Sequence, residues 1–172
     1  MRPGSFLFMA AVLAGFAVPV SAAPAPKVTS ISSLAELSTP LPYPYDENAN
    51  ADVAVNAALA QARAEHKRAF IDLGGNWCGD CRLLSGVMEL PEVKPFIDAH
   101  YVVAIVDVGR FNRNLQIPAR WGITQRLEGV PAVLIVDPNT NALVDEGHVA
   151  ALADARHMDP QSITDWIAQW AK

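Results

Sequence analysis

The chain has two cysteines, Cys78 and Cys81, set two residues apart in "GGNWCGDCRLL" (74–84). Thiols at that spacing can exchange a disulfide with a substrate, supply half of a metal site, or close a small structural staple. The position of the motif favours exchange. The apolar run "AFIDL" (69–73) reads as a strand, Gly74 and Gly75 interrupt it, and the cysteines open a helix with Leu84, Val87 and Met88 on one face. A sulfur at a helix N-terminus meets unpaired backbone N–H groups and the positive end of the helix dipole, both of which stabilise a thiolate. Cys78 is therefore the expected nucleophile, exposed and with a lowered pKa. Cys81, on the same turn, is placed to resolve a mixed disulfide formed on Cys78. Zinc sites normally bring a second ligand pair, and His66, His100, His148 and His157 offer none at a paired spacing. A staple over so short a loop adds little in the loop-entropy picture. Metal ligation and a staple stay open as alternatives; no metal or cofactor is expected.

The elements around the motif follow from periodicity and caps. A helix is expected from Asn48 to Arg68, with Val55, Ala58, Leu59 and Ala62 on one face, Asn50 or Asp52 as cap, and "HKR" (66–68) closing it. The cysteine helix breaks near Pro91, and "EVKPFIDAH" continues as a second helical piece. "YVVAIVDV" (101–108) and "VPAVLIVD" (130–137) are β-branched strands. Between them, "FNRNLQIPARWGI" (111–123) reads as a loop with a short helix, and "PNTN" turns into a hairpin strand at 142–148. Asp159 caps and Pro160 opens a terminal helix with Ile163, Trp166, Ile167 and Trp170 inward. No internal repeat is present. The order describes an α/β domain whose last strands pair antiparallel.

The N-terminus carries a different message. Arg2 precedes the apolar run Phe6–Val18, and "VPVSAA" places Val20 and Ala22 where a signal peptidase reads. The run is too short to span a bilayer and ends in small residues, so residues 1–22 are expected to be a cleaved signal peptide. The mature protein would be periplasmic or secreted, where disulfides persist. Residues 23–47 are rich in Pro, Ser and Thr and read as a linker or surface arm with no chemistry of their own; residues 48–172 form the domain. The formal net charge of −5 becomes one unit more negative when Arg2 is lost. No basic stripe exists, which excludes nucleic acid as the expected partner.

"AFIDLGGNWCGDC" followed by "GITQRLEGVPAVLIVD" resembles the thioredoxin superfamily over about residues 50–172. Trp77 directly before the first cysteine, Asp72 six positions before it, and Val130–Pro131 at the start of a core strand carry the resemblance. It implies a thioredoxin-like fold, a central mixed four-stranded sheet flanked by helices, with Cys78–Cys81 as a redox disulfide. Asp72 lies in an apolar run where an unpaired carboxylate is costly, so its pKa is expected to be raised, and it can shuttle the Cys81 proton. Alternatively it only hydrogen-bonds the Gly74–Gly75 turn. The family implies that Pro131 is cis and faces the sulfurs, leaving the Val130 backbone to a substrate segment; a Pro is also simply permitted where a strand starts. Trp77 would offer partners an apolar platform, or lie in the core. Against thioredoxin, the Cys78–Pro131 interval is longer, the N-terminal strand has no counterpart, and "YVVAIVDVG" lacks the lysine near the buried acid. The loop at 109–127 is the expected place for partner contact.

Gly79 and Asp80, between the cysteines, tune the potential. Oxidising relatives carry a histidine there; a carboxylate beside Cys78 would instead repel its thiolate and disfavour the reduced form. Asp80 also suits a first helical turn. The expectation is a monomeric, exported disulfide reductase acting on protein disulfides, fed by a membrane-embedded electron donor. The alternative is a non-catalytic thioredoxin-fold module or metal carrier using Cys78, Cys81 and His148.

Overall fold

A computed structural model describes residues 23–172; the expected signal peptide lies outside the described residues. Four strands form one sheet in the order β2-β1-β3-β4. They are β1 (Arg68–Gly74), β2 (Tyr101–Asp107), β3 (Ala132–Asp137) and β4 (Ala142–Leu143). β1 pairs parallel with β2, placing Asp72 beside Ile105, and antiparallel with β3, placing Asp72 beside Val133. β3 and β4 pair antiparallel. This is the mixed sheet with antiparallel last strands that the sequence predicts.

Period-2 alternation splits each strand between two cores. Ala69, Ile71 and Leu73 of β1 pack with Val55, Ala58 and Ala62 of helix α1 (Ala51–Ala64). Phe70 packs on the other face with Leu84 and Val87 of α2 (Gly79–Met88) and Ile97 of α3 (Lys94–His100). A short α4 (Gln116–Ala119) adds Ile117 to the first core, and α5 (Pro160–Gln169) adds Ile163 and Ile167 to the second. The result is three layers, helices on both faces of one sheet.

Two expectations are corrected. First, α1 does not run to Arg68. It ends at Ala64 because His66 takes φ +58°, and the N–H of Lys67 reaches back to Ala62 O at 2.9 Å. That closure releases Arg68 into β1. Second, the hairpin strand expected over 142–148 stops at Leu143. The Asp145 carboxylate turns inward and accepts the N–H of Ile135 at 2.9 Å, replacing the next ladder bond. Of the two readings of residues 23–47, the geometry is that of the arm. Leu37 is buried against the second core, Glu92 accepts hydrogen bonds from Thr29 and Ser30, and Gln161 pairs with the backbone of Val28 and Pro26. The arm is clamped along the α2–α5 side of the domain.

Candidate active site

The end of β1 and the start of α2 build the site. The N–H of Cys78 reaches Gly75 O at 3.0 Å, tightening the turn that leaves the strand. Cys78 is the N-cap of α2, and its Sγ accepts the N–H of Cys81 at 3.1 Å. An N-cap acceptor normally is an oxygen; sulfur here receives the same orphan donor and the same dipole, which is what a thiolate requires. A disulfide joins Cys78 and Cys81, with Cα atoms 5.3 Å apart. Both cysteines are buried, which corrects the expected exposure of Cys78: the Val130 carbonyl and the turn before α2 cover its sulfur in the disulfide form. The carbonyl of Val130 lies 3.3 Å from Cys78 Sγ, and the Val130–Pro131 peptide is cis. The residues expected at the sulfurs therefore come together there.

Asp72 lies beneath the motif on the strand face that also carries Phe70 and Gly74, and it is 1 % exposed. Burial between Ile105 and Val133 pushes its carboxyl up to about 7, against the pull of one hydrogen bond. That bond comes from the Tyr45 hydroxyl, at 2.9 Å to Oδ2. The turn-stabilising alternative for Asp72 is not what the geometry shows. A groove of about 440 Å³ between α2 and the outer edge of β2, lined in part by Ser85, Met88 and Ile105, reaches Asp72.

Asp80 departs from expectation. Its carboxylate is held by Arg156: Oδ1 accepts the Arg156 backbone N–H and Nε, each at 2.9 Å, and Oδ2 meets Nη2. Burial raises the Asp80 pKa, but the hydrogen bonds and charge of Arg156 outweigh it and hold the carboxyl below its ordinary value. The bare carboxylate expected beside Cys78 is corrected to a buried carboxylate neutralised in a bidentate pair. Gly79, exposed, has only the Arg156 guanidinium near the place a side chain would take, at 3.8 Å.

Trp77 is 42 % exposed rather than core. Its Nε1–H donates to Gly109 O at 2.7 Å, Phe111 stands 6.1 Å from its ring, and the Arg110 guanidinium lies 4.9 Å above it. Arg126 covers Phe111 at 4.1 Å. The 109–127 loop thus brings two arginines and an aromatic to the rim beside Trp77. The His148 ring lies tilted against Trp170, with centroids 5.3 Å apart. Among the described residues no three His, Cys, Asp or Glu side chains gather in a way that could hold a metal.

Sequence reasoning missed Tyr45 and Arg156. Tyr45 sits in "PLPYPY", without periodicity to mark it as buried; its aromatic content was the one signal. Arg156 is 76 positions from Asp80, and no local pattern links them.

Comparison with known proteins agrees with this geometry. A thioredoxin-like family model matches residues 49–138. A disulphide isomerase from Xylella fastidiosa Temecula1 is 36% identical, with a TM-score of 0.67, covering 74% of this chain and 96% of its own. A protein of unknown function from Pseudomonas aeruginosa is 19% identical with a TM-score of 0.37, covering 68% of this chain and 81% of its own. No curated relative matches. With its paired cysteines at the head of α2, the chain belongs to the thioredoxin-like family and is a thiol-disulfide oxidoreductase.

Proposed function

We propose that the protein is an exported reductase of protein disulfides, with Cys78 as nucleophile and Cys81 as resolving thiol. The observation that carries this is Cys78 Sγ at the N-cap of α2, taking the Cys81 N–H at 3.1 Å. The Cys78 thiolate attacks one sulfur of a substrate disulfide; a mixed disulfide forms and the other substrate sulfur leaves as thiolate. Cys81 gives its proton toward Asp72 and attacks Cys78 Sγ, which closes the Cys78–Cys81 bond and expels the second substrate thiolate. Asp72, with a pKa of about 7, can take that proton at neutral pH. An external donor of two electrons then restores the dithiol, and a membrane-embedded reductant fits an exported enzyme.

Val130, Pro131 and Trp77 form the surface on which the substrate segment lies, continued by Arg110 and Phe111 of the 109–127 loop. Pro131 withholds an N–H where the Val130 carbonyl faces Cys78. Electron flow toward substrate is supported by Gly79–Asp80, which offers no imidazole to hold a thiolate. Export is supported by the sequence of residues 1–22, residues 23–47 then being the arm and 48–172 the domain.

The description of the Xylella protein as a disulphide isomerase favours a second reading, in which the pair rests reduced and rearranges wrong disulfides. Turnover separates the two. With dithiothreitol as donor, a reductase consumes it stoichiometrically with substrate disulfide; an isomerase restores a scrambled protein with no net consumption. Cys78→Ser abolishes either activity, and full activity in that variant contradicts both.

A further inference from the structure

Tyr45 comes from the arm, yet it is 3 % exposed and its hydroxyl points under the active-site turn. Contacts made by the motif itself hold it there. Asn76 accepts the Tyr45 N–H through Oδ1 at 3.1 Å and returns its own Nδ2–H to Tyr45 O at 2.7 Å. Arg82, directly after Cys81, donates to Pro42 O at 2.9 Å and Leu41 O at 2.7 Å. Residues on both sides of the cysteine pair therefore grip the arm segment that ends in Tyr45.

The hydroxyl has two neighbours. It donates to Asp72 Oδ2 at 2.9 Å. Its second neighbour is revealed by Gly74, on the same strand face. A β-carbon there would stand 2.4 Å from the Tyr45 hydroxyl and 2.8 Å from Cys81 Sγ. The hydroxyl and the resolving sulfur thus both crowd the place a side chain at residue 74 would take, and they meet over that strand position because glycine has none. We propose that Tyr45 is the proton relay that passes the proton of Cys81 to Asp72. This rests on the reductase reading above and deepens it. In the step, the Cys81 thiol gives its proton to Tyr45 Oη while the Tyr45 hydroxyl proton moves to Asp72 Oδ2. Cys81 is left as thiolate, Asp72 as neutral acid, and Tyr45 unchanged; the Cys81 electron pair then forms the bond to Cys78 as the bond from Cys78 to the substrate sulfur breaks and that sulfur leaves as thiolate.

The groups facing this path are few. Burial, with the charges of Asp72 and of Asp107 at the end of β2, keeps the Tyr45 hydroxyl protonated far above the usual tyrosine range. Asp72 has no other ionisable group shifting it. A hydroxyl that cannot ionise but can exchange protons suits a relay.

The test uses the reduced full protein and dithiobis(nitrobenzoic acid) as probe, in stopped flow across pH. The first nitrothiobenzoate released reports attack by Cys78, the second reports resolution by Cys81. For Tyr45→Phe, which keeps the ring, the first release is expected unchanged. The second is expected to slow about tenfold or more, with its pH midpoint moved upward because Asp72 loses the bond that favours its carboxylate. Gly74→Ala, which pushes hydroxyl and sulfur apart, is expected to slow the second release likewise. An unchanged second release in Tyr45→Phe overturns the relay. So does an equal slowing of both releases with no pH displacement, the mark of a merely structural residue. If the wild type releases no first equivalent, the Cys78 assignment itself fails, and the relay with it.

Discussion

Replacing Asp72 by asparagine should stabilise the protein at alkaline pH while slowing its chemistry. An ordinary aspartate titrates near 3.8, and burial lifts Asp72 to about 7. The folded state therefore holds a proton between those values that the unfolded chain has lost, so stability falls as pH rises through that window. A difference of about three units, at roughly 1.4 kcal/mol each, amounts to about 4 kcal/mol lost by the time pH passes 8. The substituted amide keeps an oxygen for the Tyr45 hydroxyl and carries no charge. Asp145, raised by burial to about 6, adds the same sign of dependence, but it is common to both proteins and cancels in the comparison. Urea denaturation of the oxidised proteins from pH 4 to pH 9 is the assay. The gap in unfolding free energy should favour Asp72→Asn by a few kcal/mol at pH 9, relative to its value at pH 4. A gap constant across that range would refute the buried, neutral-poised carboxyl.

Arg156→Ala would expose the Asp80 carboxylate beside Cys78; the Cys78 thiol pKa should rise, and each unit should lower the potential of the pair by about 30 mV, read by thiolate absorbance against pH and a glutathione titration. Cys81→Ser should attack a substrate disulfide and stop there, leaving a mixed disulfide on Cys78 visible by mass spectrometry. Arg110→Glu, at the rim over Trp77, should raise KM for a protein disulfide and leave kcat nearly unchanged, since it touches no reacting atom. Leu37→Ala in the arm should cost about 2–5 kcal/mol in thermal or urea unfolding, the range for a buried leucine, because the arm packs into the second core; no loss would mean the arm only rests on the surface.

What could be read from the sequence was local. The strand-to-helix turn at Gly74–Gly75, the cysteine spacing, the depth of Asp72 inside an apolar run and the cap at Asp159 each follow from a few neighbouring residues, and together they define the sheet and the sulfur end of the site. The parts that escaped depend on contacts between distant segments. Tyr45 is buried because Asn76 and Arg82 hold a Pro-rich stretch that has no hydrophobic period of its own. Asp80 reads as a free charge until Arg156 arrives from beyond β4. The short β4 reflects one side chain, Asp145, out-competing a backbone ladder bond, an event that alternation cannot signal.

The reduction potential of the Cys78–Cys81 pair tests the central claim most directly. Equilibration of the purified protein against glutathione buffers, with the dithiol fraction counted by alkylation and mass spectrometry, gives it in one titration. A reductase built on this site should fall near the thioredoxin value, about −270 mV; a value of about −180 mV or higher, where isomerases and oxidants lie, would contradict it.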